Sequence, residues 1–230
     1  RGSGDDSLVG IRNRSGRKKK GRRKAEKARW LRLAKWYGPP VAGLLIGIWA
    51  TLRFSLLAPD PPARPENLCD VFREHPVWYD YASGSQQRWG TPIATQMAFV
   101  YYESSFRSHA RPPREKLLGF IPWKRPSSAY GYPQALDGTW DWYRRETGHG
   151  GADRDDFGDA VHFVGWYHYQ RHVRNGIARN DAYHLYLAYY AGHGGYARGT
   201  WKSRPYMKRS AQRAQDMATR YAVQMERCGR

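Results

Sequence analysis

The sequence predicts an all-α domain behind one membrane-spanning helix, and three features of its 230 residues carry that expectation. Apolar residues recur at helical spacing from Asp70 onward, with no convincing alternation of the kind a half-buried strand needs. Clusters of chain breakers, Gly90-Thr-Pro92, Gly148-His-Gly-Gly151 and Gly192-His-Gly-Gly195, fall between the periodic stretches. Ahead of them, Val41 to Ala58 is almost continuously apolar.

Residues 1–35 form a basic tail. They hold 14 Lys plus Arg against Asp5, Asp6 and Glu26, so the tail carries +11 of the net +19. Its run Arg17-Lys-Lys-Lys-Gly-Arg-Arg-Lys24 suits anionic lipid, nucleic acid, or simply the fixing of membrane topology. Topology with anionic lipid is the conservative expectation, and nucleic acid ranks last. Residues 36–58 follow as the span, since about 20 apolar residues cross a bilayer. Trp36-Tyr37 supplies an aromatic belt, and Arg53 lies near enough to the far end to snorkel to the interface. The basic side then faces the cytoplasm. The long n-region, with Pro59 after the small residue Ala58, reads as an uncleaved signal anchor.

Pro59-Asp-Pro-Pro-Ala-Arg-Pro65 predicts a stiff extended linker over 59–65, because successive prolines forbid a helix. The folded domain is expected over 66–230. Its cysteines, Cys69 and Cys228, lie at opposite ends. In an oxidising compartment they would join as a disulfide worth about 4–5 kcal/mol by loop entropy; otherwise they are free thiols. Between them the predicted helices are Asp70 to Ser83, Pro92 to Arg107, Ala135 to Thr147, Asp156 to Asn175, Asp181 to Ala191 and Lys208 to Arg227.

The second of these carries the chemistry. Thr91-Pro92 reads as N-cap and first helical residue, and Ile93, Met97, Val100 and Ser104 form one stripe at helical spacing. A second stripe, Gln96, Phe99, Glu103 and Phe106, sets a carboxylate between rings. A carboxyl held against apolar surface loses hydration in its charged form, so its pKa rises and it can donate a proton near neutral pH. Alone, such a residue is more often a solvated surface glutamate.

Two later strings change that reading. Ala129-Tyr-Gly-Tyr-Pro-Gln134 pairs a permissive glycine with Gln134, whose amide both donates to and accepts from sugar groups. Tyr186-Leu-Ala-Tyr-Tyr-Ala-Gly192 runs a helix into a glycine-rich, ring-lined turn. In order, Glu103-Ser104, Gly131-Tyr-Pro-Gln134 and Ala188-Tyr-Tyr-Ala-Gly192 resemble the Glu-Ser, Gly-Leu-Met-Gln and Ala-Tyr-Asn-Ala-Gly motifs of the lytic transglycosylases with an SLT domain, over roughly Leu68 to Tyr206.

The resemblance implies a lysozyme-like domain, with little or no strand, that cleaves peptidoglycan. It makes Glu103 the catalytic carboxyl, Ser104 a residue orienting substrate or acid, and Gln134 and Tyr132 glycan contacts. Tyr189, Tyr190 and Tyr206 become cleft tyrosines. Most glycosidases use two carboxylates. Asp137, Asp141 and Glu146 instead read as surface charge, and one carboxyl suffices if the substrate supplies the nucleophile. The implied product therefore carries a 1,6-anhydro end. Tyr190 and Tyr132-Pro133 depart from the motifs, which favours as the alternative a weakly catalytic, peptidoglycan-binding scaffold module of an envelope-spanning machine.

An insertion, Arg111 to Pro126, lengthens the first interval. It reads as a cleft lid, a membrane-touching loop, a docking site or a packed surface loop. His162, His168 and His172 share a helix but lack the third well-spaced ligand of a zinc site, so no metal is expected. No phosphate loop or dinucleotide fingerprint occurs, so no cofactor is expected. The expected partners are peptidoglycan strands, the inner membrane with anionic lipid at the tail, and proteins of a secretion or conjugation machine. The expected location is the bacterial inner membrane, single-pass, with the catalytic domain periplasmic.

Overall fold

The computed structural model describes residues 59–118 and 121–229, with Pro40, Gly43, Leu44, Gly47 and Trp49, which are helical. The predicted tail, and the predicted span apart from those positions, lie outside the described residues. Among the described residues no helix is long and apolar enough to cross a membrane. Residues 59–230 form a compact unit of their own.

Helix α1 (Leu68–Glu74) is followed by α2 (Pro76–Trp89) and α3 (Ile93–Ser104). A small hairpin pairs β1 (Lys116–Leu117) with β2 (Ile121–Pro122), antiparallel, Leu117 opposite Ile121. Then come α4 (Asp137–Thr147), α5 (Phe157–Asn175), α6 (Ala182–Ala197) and α7 (Pro205–Arg227). The all-α expectation holds but for that two-rung hairpin.

The most extensive helix contacts join α2 to α5, α3 to α7 and α6 to α7. Helices α2 and α5 meet through a missing side chain: a Cβ on Gly165 would lie 2.3 Å from Ser85 Oγ. That hydroxyl donates to the Val161 carbonyl at 2.9 Å, so the close approach also satisfies a buried polar group. Trp78 stacks on Phe157 with centroids 3.8 Å apart, extending the same seam.

Helix α3 runs through the core, with nine of its 12 residues buried. Gln96 is fully buried there, its amide donating to the carbonyls of Thr91 at 2.8 Å and Ala82 at 3.3 Å. The core residues of this unit run from Leu68 to Tyr221, and a disulfide joins Cys69 to Cys228, with Cα atoms 6.2 Å apart. Residues 59–230 are a compact unit with a continuous core of their own, which is the basis for producing them alone.

Several boundaries differ from expectation. The helix predicted from Asp70 to Ser83 is two helices, because Pro76 drives His75 out of helical geometry to φ −128°, ψ 73°. The N-cap of α3 is Pro92, not Thr91, and Gln86 Oε1 accepts from the Ile93 N–H at 2.8 Å in place of a side-chain cap. Helix α4 starts at Asp137 because Ala135 bridges to Tyr130. Helix α6 continues past Ala191 across a break at Gly192, φ 69°, ψ 166°. The 59–65 segment is partly docked: Pro62 is buried, Ala63 N–H donates to Glu74 Oε2 at 2.9 Å, and Tyr221 donates to the Pro65 carbonyl.

Candidate active site around Glu103

Glu103 lies in the last turn of α3, which ends abruptly in two left-handed residues, Ser105 at φ 51° and Phe106 at φ 58°. Two consecutive non-glycine residues in that region cost roughly 1–2 kcal/mol each. The turn is held by Phe106, fully buried and 5.7 Å from Trp78. The carboxyl is thus set at a helix C-terminus, the end that disfavours negative charge.

Its surroundings are aromatic. Phe99, one turn earlier, meets Tyr186 at 5.1 Å, Tyr189 at 5.4 Å and His168 at 4.3 Å. Tyr167 completes the group, 4.9 Å from Tyr189. Loss of hydration on burial raises Glu103 from its ordinary 4.5 to about 7, and a hydrogen bond from the Tyr186 hydroxyl lowers it in part. No cation and no second carboxylate contributes to that balance. Burial first, and then the Glu103 charge, raises Tyr186 and Tyr189, so both remain neutral hydroxyls.

The second motif is a closed loop clipped to its surroundings by backbone. Tyr130 bridges to Ala135, and Tyr132 N–H donates to the Arg154 carbonyl at 3.0 Å. Gly131 has φ 75°, and a Cβ there would lie 2.1 Å from that same carbonyl oxygen, so only glycine fits. Gln134 is itself left-handed at φ 49°. Its amide nitrogen donates to the Ala110 and Gly131 carbonyls, each at 2.8 Å. Both donors are spent, which leaves Oε1 as its acceptor for a ligand.

Tyr189 ties this loop to the acid, since its hydroxyl donates to the Pro133 carbonyl while its ring rests on Phe99. The structure thus brings together Glu103, Tyr189 and the Gly131–Gln134 loop. Ser104 is buried beside them, but its hydroxyl donates to the Val100 carbonyl at 3.1 Å, back along its own helix. Tyr132 is fully buried edge-on to Trp78 and Phe157, which makes it a packing residue under the loop. Tyr190 and Tyr206 form an exposed pair, centroids 5.9 Å apart.

Tyr186 is the residue that sequence reading passes over. The signal was its position one turn before Tyr189 on the same face of α6. The acidic residues of α4 are exposed, Asp137 2.8 Å from Arg154 and Asp141 3.9 Å from Arg144. They line a separate polar hollow of about 410 Å³ with Tyr130, Trp140, Asp153 and Arg154, which does not include Glu103. The histidines of α5 diverge. His162 Nδ1 meets the Tyr143 hydroxyl at 2.8 Å, and His172 Nδ1 donates to the Ile177 carbonyl at 2.9 Å. His168 is fully buried, its pKa lowered to about 3 by loss of hydration and by Arg171, so it stays neutral. Among the described residues no three His, Cys, Asp or Glu side chains gather to hold a metal.

Residues 44–228 match the family model described as the transglycosylase SLT domain. No curated protein and no solved structure matches the chain.

Proposed function

Because this chain belongs to the transglycosylase SLT family, and is therefore a lytic transglycosylase of peptidoglycan, we propose that Glu103 is its single catalytic acid and base and that its products carry 1,6-anhydro ends. A wall substrate and a disulfide between Cys69 and Cys228 place its work outside the cytoplasm. The observation that carries the proposal is a carboxyl brought to about 7 by burial, with a tyrosine hydroxyl as its donor and no cation to hold it ionised.

Such a group suits both halves of the reaction. Protonated, Glu103 donates to the oxygen linking N-acetylmuramic acid to N-acetylglucosamine. The C1–oxygen bond breaks, the leaving sugar departs with that proton, and the substrate acetamido oxygen bonds to C1. As carboxylate, now accepting from Tyr186, Glu103 removes the proton of the muramyl C6 hydroxyl. That oxygen attacks C1 and displaces the acetamido group. The ring closes without water, and orientation within one sugar replaces a second carboxylate. Gln134 Oε1 is suited to accept from a sugar hydroxyl or acetamido N–H, and exposed Tyr190 and Tyr206 offer ring faces for stacking.

Residues 59–230 incubated with purified sacculi should release muropeptides with anhydro ends, read by mass spectrometry. Reducing ends would make the enzyme a hydrolase and overturn the ring-closure step. Membrane anchoring through residues 36–58 is part of the same proposal. The full chain should stay with the membrane fraction through an alkaline carbonate wash, and its release would refute the anchor.

A further inference from the structure

The insertion between the first two motifs holds an unusual surface. Leu118, directly after β1, is 77% exposed, and Trp123, directly after β2, is 53% exposed. Leu118 has φ 54°, a conformation that L side chains rarely adopt, so this apolar residue is kept outward at a backbone cost. Around the pair, residues 111–126 carry Arg111, Arg114, Lys116, Lys124 and Arg125 against Glu115 alone. Among the described residues no carboxylate forms an ion pair with Arg111, Arg114, Lys124 or Arg125.

The hairpin has a firm base. Glu115 N–H donates to the Lys124 carbonyl at 2.9 Å, Trp123 N–H to the Glu115 carbonyl at 2.7 Å, and Arg114 to the Trp123 carbonyl at 3.1 Å. At the root, the Arg111 guanidinium sits 4.1 Å over the Tyr130 ring. The neighbouring Ala110 carbonyl accepts from both Gly131 N–H and Gln134 Nε2. The root of the hairpin thus adjoins the carbonyl that holds the Gly131–Gln134 loop.

We propose that this hairpin docks on an anionic lipid surface, with Leu118 and Trp123 in the headgroup region and the surrounding cations among the phosphates. Charge complementarity selects that partner: a bilayer accepts isolated apolar side chains set among cations. Tryptophan and arginine or lysine are the side chains that favour the water–lipid boundary. The inference goes beyond the lytic reading and does not need the predicted span. It gives the Glu103 site a fixed attitude to the membrane.

Residues 59–230 are mixed with sedimentable vesicles of phosphatidylethanolamine and phosphatidylglycerol, or of phosphatidylcholine, and the pellets compared. The parent protein should sediment with the anionic vesicles only. Leu118→Ser with Trp123→Ser should abolish this, and Arg114→Gln with Lys124→Gln should weaken it roughly 30-fold, at about one kcal/mol per cation. Thermal unfolding of the Leu118→Ser, Trp123→Ser variant should match the parent, as those side chains are exposed. No sedimentation of the parent, or sedimentation of both variants like the parent, overturns the proposal. Sacculus digestion by the same preparations separates the two readings: active protein that ignores vesicles sinks this one alone, and vesicle-bound protein without lytic activity sinks the other.

Discussion

Two carboxyls of this domain are withdrawn from water, and they are treated in opposite ways. The Asp70 side chain is 4% exposed and sits 2.8 Å from Arg64 and 2.5 Å from Arg73, in the first turn of α1 where the helix end favours negative charge. Glu103 is half-buried in the last turn of α3, faces rings and has one tyrosine hydroxyl as a donor. Burial alone therefore does not make an acid. Asp70 is buried beneath two exposed countercharges and ties the 59–65 segment to α1. Glu103 is half-buried with none, and so can carry a proton near neutrality.

The strongest test of that contrast is Glu103→Gln, which should lower anhydromuropeptide release by about 10²- to 10⁴-fold with vesicle binding and fold intact. Full activity in this variant would end the assignment. The same substitution should act on stability in the opposite direction. A folded carboxyl raised from 4.5 to about 7 contributes fully below pH 4.5, and that contribution is lost as pH rises through 7. Denaturant titrations should show Glu103→Gln more stable than the parent by about 3 kcal/mol above pH 7, relative to their difference below pH 4.5. Equal curves at both ends would mean that the carboxyl is not desolvated.

Tyr186→Phe is expected to act next. Loss of the donor that lowers Glu103 should move the alkaline limb of the pH–rate profile upward and reduce kcat about tenfold. A limb that does not move would show that Tyr186 is mere packing. The smallest effect belongs to Asp70→Asn. It should cost about 1–2 kcal/mol in unfolding, since Arg64 and Arg73 are 68% and 69% exposed and return to water, and it should leave the pH–rate profile alone.

Much of this contrast is legible in the chain. The Phe99–Glu103 spacing is local helical geometry, and the structure keeps it because α3 needs no distant contact to set its own faces, whereas Phe106 lies past the helix end at Ser104 and turns against Trp78 instead of continuing the stripe. The pairing of Cys69 with Cys228 is likewise readable from their positions at the two ends of the domain. Pro76 stands in plain view, yet periodicity across it predicts one helix where proline geometry makes two. What could not be read depends on where elements cross. Tyr186 meets Glu103 only because α6 passes the end of α3, and neither helix encodes that meeting alone. Tyr132 looks like a cleft residue, but the left-handed turn at Gly131 sends its ring inward against Trp78. The hairpin escapes prediction because two residues per strand leave no alternation to detect.

The Cys69–Cys228 bridge spans 159 positions and closes the domain into a covalent ring. A protease that opens the exposed hairpin near Leu118 would cut one side of that ring without dividing the molecule. Both pieces would keep their shared core and migrate as one band until a reductant is added. Among envelope proteases, the bridge turns a single nick from a fragmentation into a scar.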